Sequence, residues 1–263
     1  MTTAPNTAAP NTAALRTAAP RTAVLRTEAR LLAREPGSLF WIVCFPPLLL
    51  AILGAVPAFR DTQDGLDGLR VVDAYVPVAV LTGMIVAGVQ AMPAGLTGYR
   101  EHGILRRMST TPVRPSALLS AHMLVHALAA VLSALLALAV GRLAYDVRLP
   151  EQPYGYLLAL VLAVLVALAL GSVISAVSRT VKIAGAVGTA VFFPMLFCAG
   201  VWIPVQAMPA LMADIVGYTP FGAAAQALNA AAAGDWPGWS HLGVMAAWTV
   251  VLSVAAARWF RWE

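Results

Sequence analysis

The 263 residues contain one lysine, Lys182, two cysteines and only 11% charged side chains. Soluble domains carry about 25% charged residues. A chain with less than half that share, 60% hydrophobic residues and a mean hydropathy of +0.79 is not built to face water on all sides. Cys44 and Cys198 both lie inside apolar runs, where a thiol packs as a small hydrophobe, so a disulfide scaffold is excluded. The lone lysine is followed by Ile183, which excludes the G-x-x-x-x-G-K-[ST] loop that cradles nucleotide phosphates. The arginines are scattered between apolar blocks rather than gathered on one face, which excludes a nucleic-acid partner. The N-terminus does not read as a secretory signal, because the first apolar run follows more than thirty residues of tail.

What is present is organised along the chain. Residues 1–27 repeat a Thr/Ala/Pro-rich phrase with few large apolar side chains, a composition that cannot form a packed core and reads as a disordered cytoplasmic tail. The transmembrane domain is expected to occupy residues 28–263. From about Thr22, Val24, Leu25, Leu31 and Leu32 oppose Arg26, Arg30 and Arg34, the pattern of an amphipathic helix lying in the membrane interface. Pro36 and Gly37 end it. Spanning a bilayer takes about 20 apolar residues, and six stretches qualify, at about 38–59, 72–95, 117–141, 155–178, 184–203 and 239–259. After the fifth, a segment broken by Pro204, Pro209 and Pro220 fits two short re-entrant helices, whose irregular backbone must be satisfied by protein or water. The fold class is therefore all-α integral membrane, with the interfacial helix before the first span.

Orientation follows from Lys and Arg in alternate loops. With the N-terminus in the cytoplasm, thirteen lie inside, and Arg60, Arg70, Arg142 and Arg148 lie outside. Both termini and the loop between the second and third spans are thereby expected in the cytoplasm. That loop is the densest basic stretch of the chain, with Arg100, Glu101, His102, Arg106, Arg107 and Arg114 within fifteen positions. Positive-inside anchoring is one account of it. The wording asks for more: "YREHGILRRMS" reads as a short helix with Ile104, Leu105 and Met108 as an apolar ridge among charges, and "TTPVRPS" then breaks it, since proline disfavours helix in the residue before it. Such a rod suits a soluble partner.

The same stretch resembles the ABC-2 type permeases, the membrane subunits of ATP-driven exporters. Glu101, Gly103, Leu105, Arg107, Thr111, Pro112 and Val113 match the motif between their second and third spans, with departures at Ile104 and His122. A second resemblance lies between spans five and six, carried by Pro194, Gly200, Pro204, Met208, Pro209 and Pro220. A third is "RLLAREPGSLFWIVCFPPLLLAILG" at the first span. The daunorubicin-resistance type of drug exporter is the most similar kind. The resemblance implies a cytoplasmic coupling helix, with Glu101, Gly103, Ile104, Leu105, Arg106, Arg107, Thr111 and Pro112 taking force from an ABC ATPase. It also implies two copies of that ATPase, a second permease copy forming a homodimer, and a bacterial plasma membrane location. ATP and Mg2+ would be bound by the partner, and this chain would not itself be an enzyme.

His122 and His126, spaced i, i+4, could face one metal, but no carboxylate or cysteine stands near them in the sequence to complete a shell, so no metal is expected. "GSVIS" at 171–175 lacks the second glycine of a hydrolase elbow. No Asp, Glu, Lys or Arg falls mid-span, unlike the usual proton- or sodium-driven carrier. That favours an energy source outside the membrane and a largely apolar or amphipathic cargo, which the resemblance implies is a drug or antibiotic. An exporter of lipid or lipid-linked polysaccharide, and a membrane anchor for a soluble partner, are the alternatives. Gly83 with Ala87, and Gly185 with Thr189, make small-xxx-small faces, for packing within the subunit or between two copies. Tyr75, Thr82, Gln90, Phe193 and Phe197 are the candidates for a substrate path. Trp236, Trp239, Trp259 and Trp262 bracket the sixth span as interfacial girdle residues.

Overall fold

A computed structural model describes residues 12–63, 66, 68–104 and 115–259; Trp262 and most of the expected coupling helix fall outside them. Among the described residues the regular structure is helical, and six helices are long and apolar enough to cross a membrane. In chain order the elements are α1 (Thr12–Ala33), α2 (Pro36–Ala55), α3 (Val71–Glu101), α4 (Pro115–Tyr145), α5 (Pro153–Val177), α6 (Val181–Cys198), α7 (Ala210–Gly217), α8 (Pro220–Ala232) and α9 (Trp239–Trp259). The chain is a multi-pass, all-α membrane protein.

The helix α1 starts at Thr12, inside the stretch expected to be a disordered tail. Alanine is the strongest helix former, and the Ala-rich text around Pro20 carries the helix through that proline. Toward its end the arginines Arg26, Arg30 and Arg34 are exposed while Leu32 and Glu28 are buried, so the amphipathic pattern is realised against α4. Pro36 then opens α2, where its missing N–H costs nothing.

Two spans change register before a proline. Phe40–Cys44 in α2 and Val86–Ala91 in α3 are π-helical, followed by Pro46 and Pro47 in one case and Pro93 in the other. Proline removes the bond its N–H would make to the carbonyl four residues back, and a wider turn accommodates that loss. The second span is the axis of the bundle: 89% of its most apolar window is buried, against 22% for α6 and α9. The π segment also brings α3 against α5. A Cβ on Gly171 would run into the Gly88 carbonyl oxygen, and a Cβ on Gly88 would sit 2.9 Å from that of Ala167. Only glycine permits this approach.

Elsewhere the spans present exposed apolar side chains, as in Leu124, Leu128, Leu132 and Leu135 of α4. The opposite end of the bundle from Glu101 is closed by side chains on backbone. Arg70 holds Asp73 through two hydrogen bonds, 2.6 and 2.8 Å, and donates to the Tyr145 carbonyl at 3.2 Å. The bond to Asp73 raises the arginine's pKa above its ordinary value. The Tyr145 hydroxyl donates to Ala51 O at 2.7 Å.

Between α6 and α9 the proline-broken segment forms two short helices. Gly200, at φ +91°, turns the chain after α6, Val205–Ala207 makes one 3-10 turn, and Pro209 precedes α7. Pro220 opens α8, with Thr219 capping the Gly222 amide at 3.2 Å. The face of α8 carrying Phe221, Ala224, Ala227, Leu228 and Ala231 is wholly buried, whereas Leu211, Ile215 and Tyr218 around α7 are exposed. Trp236, Trp239 and Trp259 are exposed at the two ends of α9.

Candidate functional site

The second span does not stop at residue 95, as its hydropathy suggests. It continues to Glu101, so Arg100 and Glu101 belong to its last turn and not to a separate loop helix. The polar turns persist as helix because neighbouring elements satisfy them. The break comes at His102 and Gly103, where His102 N–H donates to Gly98 O at 3.0 Å and Gly103 N–H to Arg100 O at 2.9 Å. Gly103 has φ +66°, the left-handed conformation that closes helices and suits glycine. Nothing lies within 4 Å of a Cβ built there, so its requirement is conformational and not steric. Gly103→Ala is expected to cost about 1–2 kcal/mol of local stability, and Gly103→Asn less. Faster hydrogen exchange at residues 102–104 in the alanine variant, with the spans unaffected, is the check.

The two charges at this end clamp the turn between α5 and α6. Arg100 donates from Nη1 to Ser178 O at 3.0 Å and from Nη2 to Ser175 O at 3.1 Å, serving carbonyls that a helix C-terminus leaves without partners. Glu101 Oε2 accepts from the Val181 amide at 2.8 Å, the first N–H of α6, while Thr180 Oγ1 accepts from Ile183 N at 3.3 Å. A cation at one helix C-terminus and an anion at the next N-terminus both complement the helix dipoles. Adjacent residues of one span thus fasten the start of the loop after α3 to the turn between two others.

Ile104 follows, exposed at 36%. Of the expected coupling residues, Glu101, Gly103 and Ile104 stand at this corner; Leu105, Arg106, Arg107, Thr111 and Pro112 lie outside the described residues. Arg100, Ser175, Ser178 and Val181 were not singled out from the sequence for this role. The adjacency of opposite charges at the end of an apolar run was the available cue.

The substrate-path candidates divide. Gln90 Nε2 donates to Thr189 Oγ1 at 3.5 Å, and with Phe193, 54% exposed, they share the outward side of α3 and α6. Gly185, on the same helix, has nothing within 4 Å of its Cβ position. The other candidates are used inside the subunit. Thr82 is buried and donates to its own helix at Val78 O, 2.8 Å; Phe197 packs on Cys198, Met208 and Val216; the Tyr75 hydroxyl donates to Val201 O at 3.1 Å. Gly83 packs within the subunit too, since a Cβ there would meet Ile42 O and the Ser133 side chain.

His122 has a carboxylate beside it after all. Glu28, from α1, accepts from its Nδ1 at 2.7 Å, a contact 94 residues distant in sequence that no local spacing discloses. Among the described residues, no group of three or more His, Cys, Asp and Glu side chains is disposed to hold a metal.

The family model described as ABC-2 type transporter matches residues 22–231, a span that begins in α1 and ends in α8. No curated protein matches the chain.

Proposed function

The chain belongs to the ABC-2 type transporter family, and from that premise we propose that it is the permease subunit of an ATP-driven exporter of an amphipathic small molecule, of the drug or antibiotic kind. The family makes it a membrane component that associates with an ABC ATPase. In our reading two ATPase copies bind ATP and Mg2+, and the permease acts as a pair of identical subunits in a bacterial plasma membrane, with its termini in the cytoplasm.

The observation that carries the reading is the double clamp of Arg100 and Glu101 on the α5–α6 hinge. A push on the segment after Gly103 acts on the end of α3, and through the two side chains it acts on α5 and α6 together. The most buried span and one of the least buried spans are thereby moved as a unit. Residues Gln90, Thr189 and Phe193, on the outward side of that pair, supply amide, hydroxyl and aromatic surface for an amphipathic cargo between two subunits.

The test is co-purification of the permease with its ATPase, followed by ATP-dependent accumulation of a fluorescent amphipathic drug in inverted vesicles. Ile104→Glu, which places a charge on the exposed apolar knob, is expected to lower recovery of the ATPase by roughly tenfold, the scale of one lost apolar contact plus a desolvated charge. The permease itself should still elute as a monodisperse species. Undiminished co-purification in this variant would remove Ile104 from the docking surface. Drug accumulation without ATP would remove the energy source assigned here.

A further inference from the structure

A cavity of about 390 Å³ opens between α1, the end of α3 and the start of α4, at the same end of the bundle as Glu101. Its chemistry differs from its surroundings. Glu28 and Glu35 line it together with His102, His122 and His126, and among the described residues no arginine or lysine lines it, although Arg26 and Arg30 on α1 and Arg34 just after it are exposed.

The floor of the cavity is a built polar site. Glu28, 3% exposed, accepts from the Tyr99 hydroxyl at 2.8 and 2.9 Å and from His122 Nδ1 at 2.7 Å. The other His122 nitrogen, Nε2, faces the Met92 carbonyl at 3.3 Å. Both ring nitrogens of His122 thus face acceptors, the Glu28 carboxylate and the Met92 carbonyl, and neither is left for a ligand. His126, 4% exposed, donates from Nδ1 to His122 O at 2.9 Å, and in a neutral imidazole that leaves Nε2 as an acceptor. At the rim Glu35 is exposed, with one oxygen accepting from Ser38 at 3.0 Å. Leu31, Leu32, Ala91, Ala94 and Val181 supply apolar wall.

Among the described residues the cavity is therefore rich in acceptors and poor in free donors, with a carboxylate at its rim and apolar sides. We propose that it binds the protonated amine of an amphipathic molecule held in the membrane interface. The ammonium N–H groups go to His126 Nε2 and the Glu35 carboxylate, and the alkyl body lies along Leu31, Ala94 and Val181. Such an amine belongs either to the cargo or to an ethanolamine lipid; the recognition chemistry is the same. As a cargo site it rests on the exporter reading, but binding itself is independent of ATP.

The experiment uses the full-length permease in phosphatidylcholine nanodiscs without its ATPase, titrated with tritiated dodecylamine against empty discs. Dodecyltrimethylammonium has the same chain and charge and no N–H. Saturable dodecylamine binding is expected, weakened roughly tenfold for the trimethyl analogue, the scale of one charge-assisted hydrogen bond. Glu35→Gln, an exposed substitution that keeps the fold, should weaken dodecylamine by a comparable factor, and His126→Phe combined with it further. Discs containing phosphatidylethanolamine assign the source: competition there identifies the lipid headgroup as an occupant, and its absence identifies the site as one for cargo. Equal binding of the two probes, or full dodecylamine affinity in Glu35→Gln and in the double variant, overturns the proposal. Either result leaves ATPase co-purification, and with it the exporter reading, standing.

Discussion

Arg100→Ala with Glu101→Ala yields a permease that folds, retains its ATPase and no longer transports. The two side chains make three hydrogen bonds to the α5–α6 turn, at 3.0, 3.1 and 2.8 Å. Bonds with one charged partner contribute about 1.5–3 kcal/mol each, so the link they form is a stiff one for so short a turn. Removing it leaves α5 and α6 capped by Thr180 and by water at the membrane surface, which is why the fold survives. The end of α3 is then free to move without them. ATP turnover by the complex is expected to stay near its basal rate, while drug accumulation in vesicles falls by roughly 100-fold, the equivalent of about 3 kcal/mol of coupling. Arg100→Lys separates mechanism from stability. It keeps the charge but cannot serve two carbonyls as a planar fork does, so it should restore thermal stability more fully than transport. If the double alanine variant transports normally, force does not travel through this corner.

Much of this was legible in the text of the chain, for reasons that differ by element. The spans announce themselves because a bilayer demands a long apolar run whatever the packing. The α7–α8 segment does so because three prolines in close succession, Pro204, Pro209 and Pro220, disfavour a continuous helix. The ends were less legible. Hydropathy closes the second span at the first polar residues, yet Tyr99, Arg100 and Glu101 stay helical because Glu28, Ser178 and Val181 satisfy their side chains. Hydropathy counts residues and does not see partners 71 to 80 positions away. The same blindness hid Glu28 from His122. It also made Thr82 and Phe197 resemble lining residues, since the sequence shows which helix they occupy and not which way they turn. Gly171 gave no signal at all: a single glycine in an apolar span reads as spacing until its neighbour is known.

Gly171→Val is the substitution expected to do most damage to the fold. Its Cβ position collides with the Gly88 carbonyl oxygen and stands 3.0 Å from the Met92 side chain. Met92 can move; a backbone carbonyl in the π turn of the most buried span cannot, because that turn already compensates for the missing amide of Pro93. Relief requires α5 to withdraw from α3, opening the contact of Ala167 and Gly171 with Gly88. Overpacking of a well-filled core costs about 1–3 kcal/mol when side chains can yield, and more when they cannot. Against a stability of about 5–15 kcal/mol, that is enough to deplete the folded protein. Loss of the monodisperse peak in mild detergent, and a fall in thermal midpoint for the milder Gly171→Ala, are the expected readings. Gly185→Ala is the internal control, because its Cβ meets nothing within 4 Å and alanine favours helix by about 1 kcal/mol over glycine. It should fold as well as the parent, so a helix glycine as such is not what the protein requires. If Gly171→Val folds normally, α3 and α5 do not meet through Gly88, and the corner built on that packing must be redrawn with it.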